Sequence, residues 1–502
     1  MHRIEIYSCR SAAVPKKNTA NLRRYCSEPV RDPVVIRLCT HPMLFQLESK
    51  KMNRNQDLIL QAELLENRMM LSGNVNAFLD GEVLVIDGDS RSNDVTVVSD
   101  GKDIVVSTRS SLNGQRNSTA TFSQDAVKSF DVNLNGGNDE ITFIAENDSG
   151  VGFGSLDPFE VNGVDSNFNI LEIDGSDGND RINLISRNTG DSVGFRFRNV
   201  NIQTGNGNDQ VRVDVDNNSS NAGIFARDNL NINTSDGNDQ VNFDIANSGS
   251  GDGVLAEVLT VFTGKNNDRV NIDINSDGSG AGIRTETIDI FTDTGNDNVD
   301  LDINNVNQSD GIVVEDVFED FGSAPVLNDF RIDTFDGNDR INVTTGNSGT
   351  GDGIRSDFLV VLGGKDNDNV TVKALNNGSG DGFKINEEIL IDTESGNDRL
   401  DIAARNNGTG DGFDTKRFVV KSGDGRDNVD VIAGGNGSGD SFKVTEFFTV
   451  ETGFGDDRLD FNRLSNGNFD VARIDVDGGG DRDRFRSNSS IVPGFQVINF
   501  DF

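Results

Sequence analysis

The chain has 502 residues, with 83 Asp and Glu against 45 Lys and Arg, a formal net charge of −38 at pH 7. Charge of that sign opposes the phosphate neutralisation that drives nucleic-acid binding, and it disfavours anionic membrane surfaces. No apolar run approaches the ~20 residues needed to cross a bilayer, so no transmembrane span is expected.

The composition changes abruptly at Ser72. Residues 1–72 carry 12 Lys and Arg against 7 Asp and Glu, which leaves 33 against 76, a net −43, for residues 73–502. The first segment holds all three cysteines (Cys9, Cys26, Cys39), both histidines (His2, His41), both tyrosines and all five methionines. The body has no His, Cys, Trp, Tyr or Met. That excludes Ser-His-Asp and Cys-His nucleophile systems and His-ligated zinc from the body. It also removes the Trp and Tyr platforms on which sugars stack, leaving only phenylalanine.

Residues 1–72 read as a basic leader or targeting segment, largely disordered; residues 1–51 read equally as sequence ahead of a start at Met52. No apolar core of roughly 7–15 residues follows the charged start, so there is no ordinary signal peptide. The stretch Glu63-Leu64-Leu65-Glu66-Asn67-Arg68-Met69-Met70-Leu71-Ser72 resembles the N-terminal signature of planctomycete extracellular proteins, a Leu-Glu-x-Arg-x-x-Leu-Ser pattern. The match lies at Leu65, Glu66, Arg68, Leu71 and Ser72, with Asn67 where proline or aspartate is more usual. The resemblance implies a secreted or cell-surface protein. By their spacing alone, Leu60, Leu64, Leu65 and Met69 also suit one face of a short helix.

Residues 73–138 contain the strand-like runs EVLVIDG and NDVTVV and are expected to form an N-terminal cap with irregular coils. Beyond them, over residues 139–485, an Asn-Asp step followed by alternating apolar residues recurs. Its aspartates are Asp139, Asp180, Asp209, Asp239, Asp268, Asp297, Asp339, Asp368, Asp398, Asp427 and Asp457. Successive gaps are 41, 29, 30, 29, 29, 42, 29, 30, 29 and 30 residues. The two long gaps hold insertions, GSLDPFEVNGVDSNF and FEDFGSAPVLN, each with one of the body's three prolines.

Within residues 253–282, Leu259 and Val261 mark one short strand and Val270, Ile272 and Ile274 a second. The same places recur as Val211, Val213 and Val215, as Val241, Phe243 and Ile245, and as Val429, Val431 and Ala433. Period two with β-branched side chains means strands with one buried face. A unit of this length is shorter than a propeller blade of about 40–45 residues and suits one coil of a stacked array. The expected fold is all-β: a right-handed, three-sided parallel β-solenoid, or β-helix, of roughly 10–12 coils. Ten steps at ~4.8 Å give a stack about 50 Å long. Residues 486–502, including IVPGFQVINFDF, are expected to cap the far end.

In register, the aspartates form a ladder whose carboxylates would repel one another. The residues 235–243, SDGNDQVNF, and the alternating glycines of Gly205-Asn206-Gly207-Asn208-Asp209 resemble the calcium-binding nonapeptide of RTX toxins and exoproteins. The resemblance implies calcium, with Asp180, Asp209, Asp239, Asp268, Asp297, Asp339, Asp368, Asp398, Asp427 and Asp457 as ligands. Read from the residues alone, each Asp caps its own turn through backbone N–H groups. The next residue (Arg181, Gln210, Gln240, Arg269, Asn298, Arg340, Asn369, Arg399, Asn428, Arg458) would then balance its charge. A second acidic corner, at Asp252, Asp310, Asp352, Asp381, Asp411 and Asp440, follows Gly/Ser runs and reads as turn residues. Asn247, Asn347, Asn377, Asn407 and Asn436 just upstream suit an amide ladder.

Every coil offers acids, so no carboxylate pair stands out as catalytic. The sequence reads as a non-catalytic acidic repeat protein of the cell surface or secreted fraction. It would act as a rigid adhesin-like scaffold with calcium as its one cofactor and an envelope, matrix or carbohydrate partner. The alternative is a carbohydrate-active parallel β-helix, a polysaccharide lyase or hydrolase.

Overall fold

The computed structural model describes residues 34–37, 46–49 and 73–500, apart from 100–101, 117, 148–169, 190–192, 316–328, 466–467 and 489–494. The chain divides at Leu71/Ser72 into two units. In the first, Val34–Arg37 and Gln46–Ser49 pair antiparallel. The 63–72 signature and both insertions lie outside the described residues.

In the second unit, alternation of apolar and polar residues is converted into a β-solenoid. Each regular coil gives one strand to each of two parallel sheets, as Val254–Phe262 and Arg269–Ser276 do in the coil that follows Asp239. Pairing is residue for residue: Val241, Phe243 and Ile245 lie over Val270, Ile272 and Ile274, then over Val299, Leu301 and Ile303. All nine are fully or almost fully buried. A slip of one residue would turn this whole set toward solvent, so the period-two pattern locks the register.

Two continuous strand ladders replace the three separate sides expected from the sequence. The third side is a bend inside the longer strand, where a bulge interrupts the pairing. The register jumps there between Ala226 and Asn229 and again between Ile385 and Glu388. The bulge accounts for the unequal repeat lengths. Coils of 30 residues carry one extra residue at the bend, as Arg227 and Asp228 do where the preceding coil has Arg198 alone. The described flanks of the second insertion, Ile312–Val314 and Asp329–Asp333, place it at the same bend. A bend whose side chains point outward tolerates added residues that a strand could not.

The core changes along the stack. One inward column reads Val254, Ile283, Ile312 and Ile354, then becomes Phe383, Phe413, Phe442 and Phe469. The rings stack face to face, with centroids 4.8, 4.9 and 5.1 Å apart and interplanar angles of 13, 16 and 11°. Those spacings are the coil-to-coil rise itself.

At the N-terminal end, Asp94–Ser99, Asp103–Thr108 and Thr119–Ser123 pair antiparallel, while Asp94–Ser99 also pairs in parallel with Glu140–Asn147. At the other end, Phe495–Ile498 adds a parallel strand to Ile474–Asp477, and Phe500 packs against Phe485.

Candidate functional site

The turn joining the two strands of each coil places the repeated aspartate. Its second residue takes a left-handed conformation in every regular coil, as Gly205 (φ 82°), Ser235 (φ 64°), Gly264 (φ 79°) and Asp293 (φ 58°). A Cβ at Gly205 would lie 1.7 Å from the Ser176 carbonyl oxygen, so that turn requires glycine. The turn delivers an Asn to the outer rim and an Asp to the inside.

The Asn-Asp step is a two-way clamp. The Asp180 N–H donates to Asp209 Oδ1 at 2.7 Å, the Asp209 N–H to Asp239 Oδ1 at 2.8 Å, and the Asp239 N–H to Asp268 Oδ1 at 2.8 Å. Bonds of 2.7–2.9 Å continue across the second insertion through Asp297, Asp339, Asp368, Asp398 and Asp427 to Asp457. The asparagines point the other way: the Asn208 N–H donates to Asn179 Oδ1 at 2.7 Å, and that of Asn238 to Asn208 Oδ1 at 3.0 Å. Each coil therefore grips the coil before it through Asp and the coil after it through Asn.

The ladder is longer than the repeat spacing revealed. Asp483 is a further rung, accepting from the Asp457 N–H at 3.0 Å. At the other end Asn93 fills the rung position, its N–H donating to Asp139 Oδ1 at 2.6 Å. The gap of 26 residues hid Asp483, and at Asn93-Asp94 the step is present but its asparagine, not its aspartate, is the rung.

All ten candidate ligands, Asp180 through Asp457, fall in this one column, each no more than 3% exposed. Their second oxygens face inward. Thr204 donates to Asp209 Oδ2 at 2.6 Å. The Oδ2 atoms of Asp180, Asp239, Asp268, Asp297, Asp339, Asp368, Asp398, Asp427 and Asp457 have no donor in hydrogen-bond geometry. Burial pushes the carboxyls up, to about 6 at Asp209, about 7 at Asp239, about 8 at Asp268 and about 9 at Asp368. Hydroxyls such as Thr204 and Thr263 offset part of that effect; at Asp180 and Asp368 glycines 175 and 363 stand in their place.

The expected counter-charges do not reach this column. Because side chains alternate across the strand, the residue after each buried Asp points outward, where these residues meet one another or outward acids, as Arg458 meets Asp460. Arg181 Nε donates to Gln210 Oε1 at 2.9 Å, and Gln210 Nε2 to Gln240 Oε1 at 3.1 Å. Among the described residues no ion pair involves Asp180 through Asp457.

The donor set does not suit calcium. The ion takes 6–8 oxygens at 2.3–2.6 Å. Here a backbone N–H points at every Oδ1, and turn carbonyls already accept from neighbouring coils, as the Asp236 oxygen does from the Gly207 N–H at 3.0 Å. At most one free carboxylate oxygen per coil remains.

The second acidic corner is a ladder of opposite direction. The Asp381 N–H donates to Asp352 Oδ1 at 2.7 Å, that of Asp411 to Asp381 Oδ1 at 2.6 Å, and that of Asp440 to Asp411 Oδ1 at 2.8 Å. Cations stand against it: Arg284 on Asp252 at 3.1 Å, Arg355 on Asp310 at 2.8 Å, Lys443 on Asp411 at 3.3 Å. Asp381, Asp411 and Asp414 come within 4.8 Å of one another. Lys384 and Lys443 already bridge those three carboxylates.

The upstream asparagines belong to two columns, not one. Asn247 and Asn347 are buried and hold the glycine corner, Asn247 Nδ2 donating to the Gly251 oxygen at 3.0 Å and the Ala281 oxygen at 2.8 Å. Asn376 and Asn406 continue that column. Asn377, Asn407 and Asn436 are exposed one residue later, Asn407 Nδ2 donating to Asn377 Oδ1 at 3.0 Å. Those three help line a groove of about 740 Å³ whose fifteen residues, from Val306 to Ser438, include no ionisable side chain.

No family model, no curated protein and no solved structure matches the chain.

Proposed function

We propose that the chain is a non-catalytic acidic scaffold of the cell surface or secreted fraction, an extended stack that presents charged outer faces to an envelope, matrix or carbohydrate partner. The observation that supports this reading is the fate of the acids. The carboxylates repeated most regularly are turned inward and committed to neighbouring coils, out of reach of a substrate, while outward positions carry the rest of the charge. Antibody detection in cell fractions tests the location: recovery in the medium or at the surface is expected, and confinement to the cytosol would refute it.

A polysaccharide hydrolase of the usual kind needs a pair of carboxyls about 5–9.5 Å apart across a bound sugar, and a lyase needs a basic side chain. The 306–438 groove has neither among its lining residues. Release of reducing or unsaturated ends from a polysaccharide panel would nonetheless replace the scaffold reading.

A further inference from the structure

We propose that the buried aspartate column is a stack of neutral carboxylic acids, so that the solenoid is held together by protons and loosens as they are removed. The inference starts from the disagreement between this column and calcium, and it stands on the hydrogen bonds.

Each Oδ1 accepts a backbone N–H, which leaves Oδ2 to be accounted for. At Asp209 the Thr204 hydroxyl donates to it, but at three other rungs the hydroxyl beside it gives its single hydrogen to a carbonyl of the next coil. Thr234 Oγ1 donates to the Thr263 oxygen at 3.2 Å, Thr334 Oγ1 to the Gly363 oxygen at 3.1 Å, and Thr393 Oγ1 to the Ser422 oxygen at 3.2 Å. What those hydroxyls offer Oδ2 is a lone pair, and only a protonated oxygen bonds to a lone pair.

The N-terminal rung supports the same conclusion. Asn93, 2% exposed, occupies the aspartate position with an amide, and its Nδ2 donates to the Asp89 oxygen at 2.9 Å, the Arg91 oxygen at 2.7 Å and the Leu134 oxygen at 3.2 Å. Leu134 stands one coil on, where the threonines stand in later coils. Its neighbourhood is rich in acceptors and takes a donor.

The charged groups facing the column do not favour its ionised form. Asp89, Asp174, Asp236, Asp293, Asp336, Asp366 and Asp456 in the turns all raise it further. Lys265 and Lys365 lie at the rim, on Asp236 at 3.6 Å and Asp336 at 3.0 Å. Arg269, Arg340, Arg399 and Arg458 point outward from the adjoining strand. The folded carboxyls titrate from about 6 to about 9, above the unfolded value. Their contribution is thus complete below about pH 4 and is lost as pH rises through that window.

The test is urea unfolding of the full chain between about pH 5 and about pH 9, bracketing the rung values. The wild type is expected to lose midpoint steadily above pH 6. Asp239→Asn, which keeps the acceptor and supplies a donor, should match wild type at the acid end and exceed it at the alkaline end. Between about pH 5 and 6, where the folded carboxyl is protonated and the unfolded one is not, it should lower the proton uptake of folding by about one. Asp239→Ala should lose stability throughout. Infrared difference spectra of the unmodified chain give a second readout: a protonated-carboxyl carbonyl band at pH 6 that fades by pH 9. A pH-independent midpoint, Asp239→Asn behaving as Asp239→Ala at pH 6, absence of that band, or proton release on adding calcium chloride would each overturn the proposal.

Discussion

Replacing Phe413 by alanine should remove one tier from the stacked-ring column and divide the solenoid locally. Phe413 is fully buried and touches three rings: Phe383 at 4.8 Å, Phe442 at 4.9 Å and, edge-on, Phe418 at 5.4 Å. Phe→Ala in a core costs about 3–5 kcal/mol, and aromatic pairs carry ~0.5–1.5 kcal/mol beyond their area. The loss should fall in the upper half of the first range. Phe413→Ile should cost only about 1–2 kcal/mol, because isoleucine already fills this column at Ile283, Ile312 and Ile354. Urea unfolding gives the magnitude, and hydrogen exchange gives its location. In a nearest-neighbour stack, protection should fall in Phe383–Asp392, Phe413–Lys421 and Phe442–Glu451 while Gln240–Asn247 keeps its own. A cost for Phe413→Ala below about 1 kcal/mol, or equal loss of protection in the remote strand, would refute the reasoning.

Four further outcomes are expected. Glu394 sits in the left-handed turn position at φ 50°, where the coils on either side have Gly364 and Gly423, so Glu394→Gly should stabilise by up to ~1 kcal/mol in the same denaturation assay. Gly408→Ala should cost about 3 kcal/mol or more, since its Cβ would lie 1.9 Å from the Gly378 oxygen; unaltered folding would show that the corner can open. Asn238→Ala removes the acceptor for the Asn267 N–H and amide, at 3.2 and 3.1 Å, on an exposed rim. It should cost about 0.5–1.5 kcal/mol. Thermal melting should be unmoved by about 10 mM calcium, which exceeds the ~10⁻³ M constants of the weakest extracellular calcium modules.

Much of this architecture could be read before any coordinates. Strict alternation at Val270, Ile272 and Ile274 fixed the buried face, and the aspartate spacing fixed the coil length, because both are set by backbone period alone. The site was half legible. That Asp239 lies above Asp268 follows from counting; that its carboxylate caps a neighbouring coil's backbone and not its own depends on the turn's left-handed second residue. Asn208 gave no sign of clamping in the opposite direction, since an exposed asparagine suits any turn. The separation of Asn347 from Asn377 was likewise hidden, because a shift of one residue between neighbouring repeats moves a side chain from core to rim. The calcium motif and the plain corner share their residues for a physical reason. A tight turn ending in an inward Asp is demanded by the corner itself, whether the carboxylate then meets a metal or an N–H.

The extra residue of the 30-residue coils has a consequence for how such a chain can change. Rungs, sheets and glycine corner are spaced identically in the coils of 29 and 30 residues, and the extra residue is absorbed at the outward bend. A block cut from one rung aspartate to the next therefore carries complementary ends. Gain or loss of whole blocks alters the number of coils while leaving each junction the same, so the reach of the molecule can be adjusted by copying, with the bend free to vary in each copy.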